Sequence, residues 1–272
     1  MPRRIESPSS INTYKQCPRK YFYQYIRKLP TFPNIHTVRG NIVHSALEKF
    51  FDIDPASLDP LKYMPELAAF LSNLFDACWR KKANELEKVT CSEEQERKFY
   101  DESKMMLGNW LNAFFDDLKL KMHEKSFIDA FNEVKPTEME EKYESKEYSV
   151  RGYIDAVSKI DGITTLIDYK TSKPKDRMPP DYRLQLAIYA LMYKEKHGMI
   201  PDRVGVWFLK SKEMTITADE ELVQEAKFEI EQIHASTESD MITDYKCTIT
   251  PLCKWSTGQC NFYETCIKDR SI

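Results

Sequence analysis

Apolar residues recur along this chain in two rhythms, and the change between them falls near Pro136. Before it, they fall three and four apart, the spacing of one helix face. Ile11, Tyr14, Tyr21, Phe22 and Tyr25 trace the first such face, with Ser9 and Ser10 as expected N-caps. Pro18 divides it into a short helix ending near Cys17 and a second helix with proline at its first position. After a loop containing proline and threonine, Arg39-Gly40 is expected to open another helix with the stripe Val43, Leu47, Phe50 and Phe51. From about Leu58 to Phe131 several amphipathic helices follow, with Phe70, Leu71, Leu74, Phe75 and Trp79 as core.

After Pro136 the period shortens to two. Glu138 to Tyr143, Tyr148 to Ser158 and Ile163 to Tyr169 are expected strands, and Asp161-Gly162 is a hairpin turn between the last two. A helix from Tyr182 to Lys196 ends at His197-Gly198. Val204 to Leu209 is a buried strand, Met214 to Thr217 pairs beside it, and Asp219 to Ala235 is a last long helix. The tail from Cys247 is irregular and rich in cysteine. This order predicts an α/β fold, a mixed central sheet flanked by helices. Its expected divisions are N-terminal helices (1–57), a helical subdomain or insertion (58–135), a sheet core (136–240) and a cysteine-rich cap (241–272).

Composition narrows the function. With 42% hydrophobic and 12% aromatic residues in 272, the chain can bury a sizeable core. Its seven glycines are few enough that each should mark a turn or a close backbone approach. A net charge of -3 is not that of a protein coating nucleic acid, but the charge is uneven. Lys15, Arg19, Lys20, Arg27 and Lys28 form one basic cluster, and Lys170, Lys173, Lys175 and Arg177 a second. The opening residues hold no apolar signal region and no stretch is long enough to span a membrane, so an intracellular, cytoplasmic protein is expected. There, seven cysteines serve better as metal ligands than as disulfides.

The candidate chemistry lies in the hairpin. A two-residue turn at Asp161-Gly162 sets Asp155 directly across from Asp168, with Cβ atoms about 4.5–5.5 Å apart. Strand alternation puts Lys170 on the same face as Asp168. On a solvent face these would be ordinary hairpin polars. The apolar flanks Tyr153, Ile154, Leu166 and Ile167 argue for burial, where two carboxylates need a metal or a basic partner. A hard cation such as Mg²⁺ suits them, and a lysine beside it can stabilise charge on a phosphate.

Gly152-Tyr-Ile-Asp155, Ile167-Asp-Tyr-Lys-Thr171 and Gln185-Leu-Ala-Ile-Tyr189 resemble, in order, motifs of the RecB-like branch of the PD-(D/E)XK nuclease superfamily. Arg39-Gly-Asn-Ile-Val-His44 resembles its upstream histidine motif, and Ser10 to Tyr21 its N-terminal cysteine helix. The resemblance implies a restriction-endonuclease-like core and metal-dependent hydrolysis of DNA. It implies that His44, Asp155, Asp168 and the Tyr169 carbonyl hold Mg²⁺ or Mn²⁺ and that Lys170 is the catalytic lysine. Gln185 and Tyr189 would position Lys170 or the strand, with Arg39 in a similar role. His44 judged alone reads as a hydrogen-bonded histidine at a helix edge, and Tyr189 fits the core equally well. Glu141 is a further candidate acid.

The cysteines extend the likeness to the iron–sulfur AddB-type and CRISPR-associated exonucleases. Cys17, Cys253, Cys260 and Cys266 would hold a 4Fe-4S cluster, with zinc as the alternative. The step from Cys260 to Cys266 matches that pattern. The step from Cys253 to Cys260 is longer than usual, which leaves Cys247 as another possible ligand. Cys78 and Cys91 read as ordinary residues. The implied function is an exonuclease on single-stranded DNA or free ends, in repair, recombination or CRISPR-type processing, with a helicase or recombination protein as partner. A catalytically silent DNA-binding or scaffold module is the rival reading, and an RNA substrate remains open.

Overall fold

The computed structural model describes residues 3–89, 91–255 and 258–270. Ser7, rather than Ser9 or Ser10, caps α1 (Pro8–Gln16). Its hydroxyl accepts the Ser10 N–H while Ser10 Oγ accepts the Ser7 N–H, a reciprocal capping box. Pro8 takes the first helical position, where a missing N–H costs nothing, so the helix starts earlier than expected. Pro18 opens α2 (Pro18–Tyr21) as expected, and the chain runs on into a π-helical turn, Phe22–Ile26. α3 (Ile35–Phe50) starts at an Asn34 cap, so Arg39-Gly40 lies inside this helix instead of opening it.

The middle segment supplies α4 (Tyr63–Lys81), α5 (Ala83–Leu86), α6 (Glu93–Met122) and α7 (Phe127–Val134). Phe50, Phe75, Trp110, Phe114 and Phe131 join Ala156, Ile167 and Tyr169 of the sheet in one core. These helices therefore cover one sheet face. Gly108, inside α6, has nothing within 4 Å of where a Cβ would sit, so it marks neither a turn nor a close approach.

The sheet runs in the order β1 (Glu138–Ser145), β2 (Val150–Ile160), β3 (Ile163–Lys170), β4 (Arg203–Phe208) and β5 (Lys212–Thr217). Only β3 and β4 pair in parallel, across the long helix α8 (Pro180–His197). Asp161 and Gly162 both have positive φ (53° and 80°), as a type I′ turn requires. The register follows: Ala156 faces Ile167 and Ile160 faces Ile163. α8 and α9 (Glu220–Ser236) cover the second face, on Val157, Leu166 and Val206. Leu184 and the run from Leu186 to Tyr193 are buried, because sheet and α9 both press on α8, while Gln185 is only half-buried.

A third, smaller core holds the two ends of the chain together. Tyr21, Phe22 and Tyr23 pack there with Tyr245 and Phe262. The tail adds the two-residue strands β6 (Lys254–Trp255) and β7 (Gly258–Gln259) and the helix α10 (Tyr263–Arg270). Among the described residues, no helix is long and apolar enough to cross a membrane.

Candidate active site

One irregularity in the sheet makes the site. Ile154 and Val157 belong to the same core, although strict alternation would separate them, and Ala156 belongs to the opposite one. The side-chain phase slips at Asp155. Across from it, the β1–β2 pairing passes from Met139–Ala156 to Glu141–Ile154 and omits Glu140 and Asp155. Glu140 is left-handed there, with φ 48°, an unusual conformation for a residue with a side chain. The two skipped residues turn their carboxylates to His44 of α3. Its Nδ1 lies 3.3 Å from Glu140 Oε1 and 3.4 Å from Asp155 Oδ1, and its Nε2 is 2.9 Å from the Tyr169 carbonyl oxygen.

Asp155 Oδ2 accepts the Tyr169 N–H at 2.7 Å, so a side chain takes over where the β2–β3 ladder ends. The flank is not wholly buried as expected: Ile154, Leu166 and Ile167 are, but Tyr153 is 57% exposed. Gly152 is needed for packing, since a Cβ there would meet Met192 Cε and Pro8 Cδ at 3.3 Å.

Asp168 is 2% exposed. Its Oδ1 accepts from Gln185 Nε2 at 2.7 Å and from Tyr189 OH at 3.4 Å. Lys170 Nζ lies 2.5 Å from Asp168 Oδ2 as an ion pair, yet that buried oxygen has no partner in hydrogen-bond geometry. Lys170 Nζ also donates to Gln185 Oε1 at 3.1 Å. One amide thus fixes both members of the pair, and the donor to Asp168 and acceptor from Lys170 set its orientation.

Charge follows from geometry. Burial raises Asp168, and the ammonium of Lys170 only partly opposes it. Burial alone would lower Lys170, but Asp168 beside it outweighs this and holds it above the usual lysine value. Burial likewise opposes charge on His44, and the carboxylates of Asp155 and Glu140 overcome it, pushing His44 up to about 10. The site draws in positive charge wherever it can.

Among the described residues, one group of three ligand side chains has its donor atoms within 4.8 Å of one another: His44, Glu140 and Asp155. With the Asp168 carboxylate nearby, its Oδ2 paired with Lys170, this oxygen-rich donor set fits a divalent cation. Glu140 was missed in the sequence, where Glu141 was named instead. Glu141 is half-exposed and pairs with Lys196. Arg39 stands apart from the acids, bridging Glu102 and the Thr171 carbonyl just past Lys170.

The cysteines meet in a separate pocket. Cys17, Cys253, Cys260 and Cys266 line it together with Cys247, and Arg19 and Lys20 add positive charge to its wall. Cys247 Sγ is 3.3 Å from Cys266 Sγ, and Thr248 N–H points to Cys17 Sγ at 3.5 Å. Arg19 ties the ends further, its Nε donating to the Tyr245 carbonyl at 2.8 Å.

A helix-flanked mixed sheet with acids and a lysine at the end of its hairpin defines the class of restriction-endonuclease-like proteins. The family model of the PD-(D/E)XK nuclease superfamily matches residues 6–267, and the chain belongs to that superfamily. A crystal structure described as a "Putative exonuclease" from Eubacterium rectale is similar in fold, with a TM-score of 0.51 and 11% identity. The match covers 92% of this chain and 86% of that one. No curated protein matches the chain. Superfamily membership and the acidic site together support a nuclease.

Proposed function

We propose that the protein is a Mg²⁺- or Mn²⁺-dependent deoxyribonuclease, an exonuclease acting on single-stranded DNA or free ends. The observation that carries this is a group of three ligand side chains, His44, Glu140 and Asp155, close to a lysine that Asp168 and Gln185 hold. A silent binding module has no use for that arrangement. His44, Glu140, Asp155 and Asp168, with the Tyr169 carbonyl, would hold the cation. Bound there, it would neutralise phosphate charge and lower the pKa of a water. Lys170, paired with Asp168, would donate to a phosphate oxygen or the attacking water. Gln185 keeps its ammonium in place.

The terminal cysteines Cys17, Cys253, Cys260 and Cys266, which line one pocket, would hold a 4Fe-4S cluster, with zinc as the alternative. Joining residues so far apart in sequence removes much entropy from the unfolded chain.

The test is to purify the protein anaerobically and incubate it with 5′- and 3′-labelled single- and double-stranded DNA and RNA, with Mg²⁺, Mn²⁺ or EDTA. Asp168→Ala and Lys170→Ala are expected to lower metal-dependent cleavage by about 10³-fold while remaining folded. DNA binding without cleavage under any metal would leave the scaffold reading in its place.

A further inference from the structure

Beside the acidic site the molecule carries a pocket of opposite charge. A cavity of about 410 Å³ opens between α3, α6 and the segment leaving β3. Arg39, Lys98, Lys173 and Lys210 line it, with Glu102 as the one carboxylate among the described residues. Four permanent cations against one acid leave a surplus of three positive charges. Glu102 is already engaged, 3.0 Å from Arg39 Nη1 and 2.8 Å from Lys210 Nζ.

Arg39 is what marks this as more than a basic surface. It is 4% exposed, its guanidinium lies 4.9 Å over the Phe99 ring, and its Nε has no hydrogen-bond partner. That Nε is closed off from the cavity, so an anion there would meet the buried guanidinium through its charge, which Glu102 shares with Lys210 and so balances only in part. A clamp for the end of β3 would not need Lys98, Lys173 and Lys210 gathered around it.

The pocket adjoins the candidate site on two elements. Thr171, in its wall, follows Lys170, and Arg39 lies five residues before His44 on α3. At 1.5 Å per residue that is about 7.5 Å along the helix, the order of one or two nucleotides of a strand. We propose that this pocket is a phosphate-binding subsite gripping the DNA strand one or two nucleotides from the scissile bond. It gives the helical middle of the chain, through Lys98 of α6, a direct part in holding substrate. The proposal rests on the nuclease reading above.

The experiment uses the full-length protein in EDTA and measures fluorescence anisotropy with one labelled single-stranded oligonucleotide. Its ends carry a 5′-phosphate, a 3′-phosphate, or hydroxyls only. The variant is Lys98→Ala/Lys173→Ala, at two exposed positions where folding is not at stake. Lys159→Ala/Lys212→Ala removes the same charge elsewhere on the surface. The pocket variant should bind about 10-fold more weakly, with a salt slope shallower by about 0.7 for the phosphate released. Loss with all three oligonucleotides identifies an internal diester, and loss confined to one phosphorylated end identifies a terminal phosphate. Unchanged affinity and slope overturn the subsite, as does an equal loss in the control variant. Metal-dependent cleavage by the wild type is scored separately. Its absence together with variant-sensitive binding would sink the nuclease reading and leave the subsite standing.

Discussion

The acidic site and the cysteine pocket are held in opposite ways. Around β2 and β3 the fold does the work: Asp168 and Asp155 are buried, and Gln185, Tyr189, His44 and the Tyr169 backbone hold them. The site therefore has its shape before any cation enters. The cap has two strands of two residues each, and Ile249, Leu252 and Ile267 stand exposed. Its one packed element is the aromatic cluster around Tyr245. Where so little apolar surface is buried, order has to come from ligand bonds, and metal binding becomes folding energy. On the proposal above, the first region is preorganised, whereas the second would be completed by the cluster it binds.

The sharpest way to break this contrast is to remove a thiol. Cys260→Ser should abolish the visible absorption of the proposed cluster and loosen residues 245–255 and 258–268 by about 4 kcal/mol, the scale of cross-linking a long loop. Hydrogen exchange read by mass spectrometry should show this loss in the cap while β2 and β3 keep their protection. Equal loosening of both regions, or none in the cap, would end the distinction drawn here.

The acidic site should instead respond to pH. His44 is raised above its ordinary value, so its proton stabilises the metal-free fold fully below about pH 6.5. That contribution is lost as the pH rises through about 10. In EDTA the urea midpoint should fall across this interval, and His44→Gln should flatten the fall. A midpoint that is level in the wild type would show that the carboxylates do not press on His44 as the geometry indicates.

Gln185→Ala tests positioning within the preorganised site. Released from its amide, Lys170 keeps its ion pair but loses its fixed direction, and the expected loss is about 10–100-fold in kcat. KM should hardly move, because the amide holds the reacting centre and not the strand. A rise in KM at constant kcat would reassign Gln185 to substrate binding.

The hairpin could be read from sequence because its logic is local. Two left-handed residues at Asp161-Gly162 fix a register that runs from Ile160–Ile163 to Ala156–Ile167, the last pair before Asp155 and Asp168. The αL cap at Gly198 is legible in the same way. Glu140 is not, because its approach to His44 depends on a phase slip shared between β1 and β2 and on a left-handed φ that no residue type announces. The sequence offered its neighbour Glu141 as the candidate acid instead. The start of α3 was missed for a related reason: Asn34 caps it from a loop of prolines, while Arg39-Gly40 looked like a boundary. Tyr153 shows the limit of reading apolar runs, since an aromatic ring on β2 can face solvent.

The smallest effects expected are two glycine substitutions of opposite sign. A Cβ on Gly205 would sit 2.7 Å from Thr215 Cγ2 and 3.0 Å from the Met214 carbonyl oxygen. The methyl can turn aside, but the carbonyl belongs to the β4–β5 ladder, so Gly205→Ala should cost about 1–3 kcal/mol. Gly108 has open space around the same position and lies within α6, so Gly108→Ala should stabilise by up to about 1 kcal/mol. Urea unfolding of the metal-loaded protein measures both. The two changes differ only in what a single methyl group meets, so the same sign for both would mean that α6 or the β4–β5 pair is packed differently from the structure described.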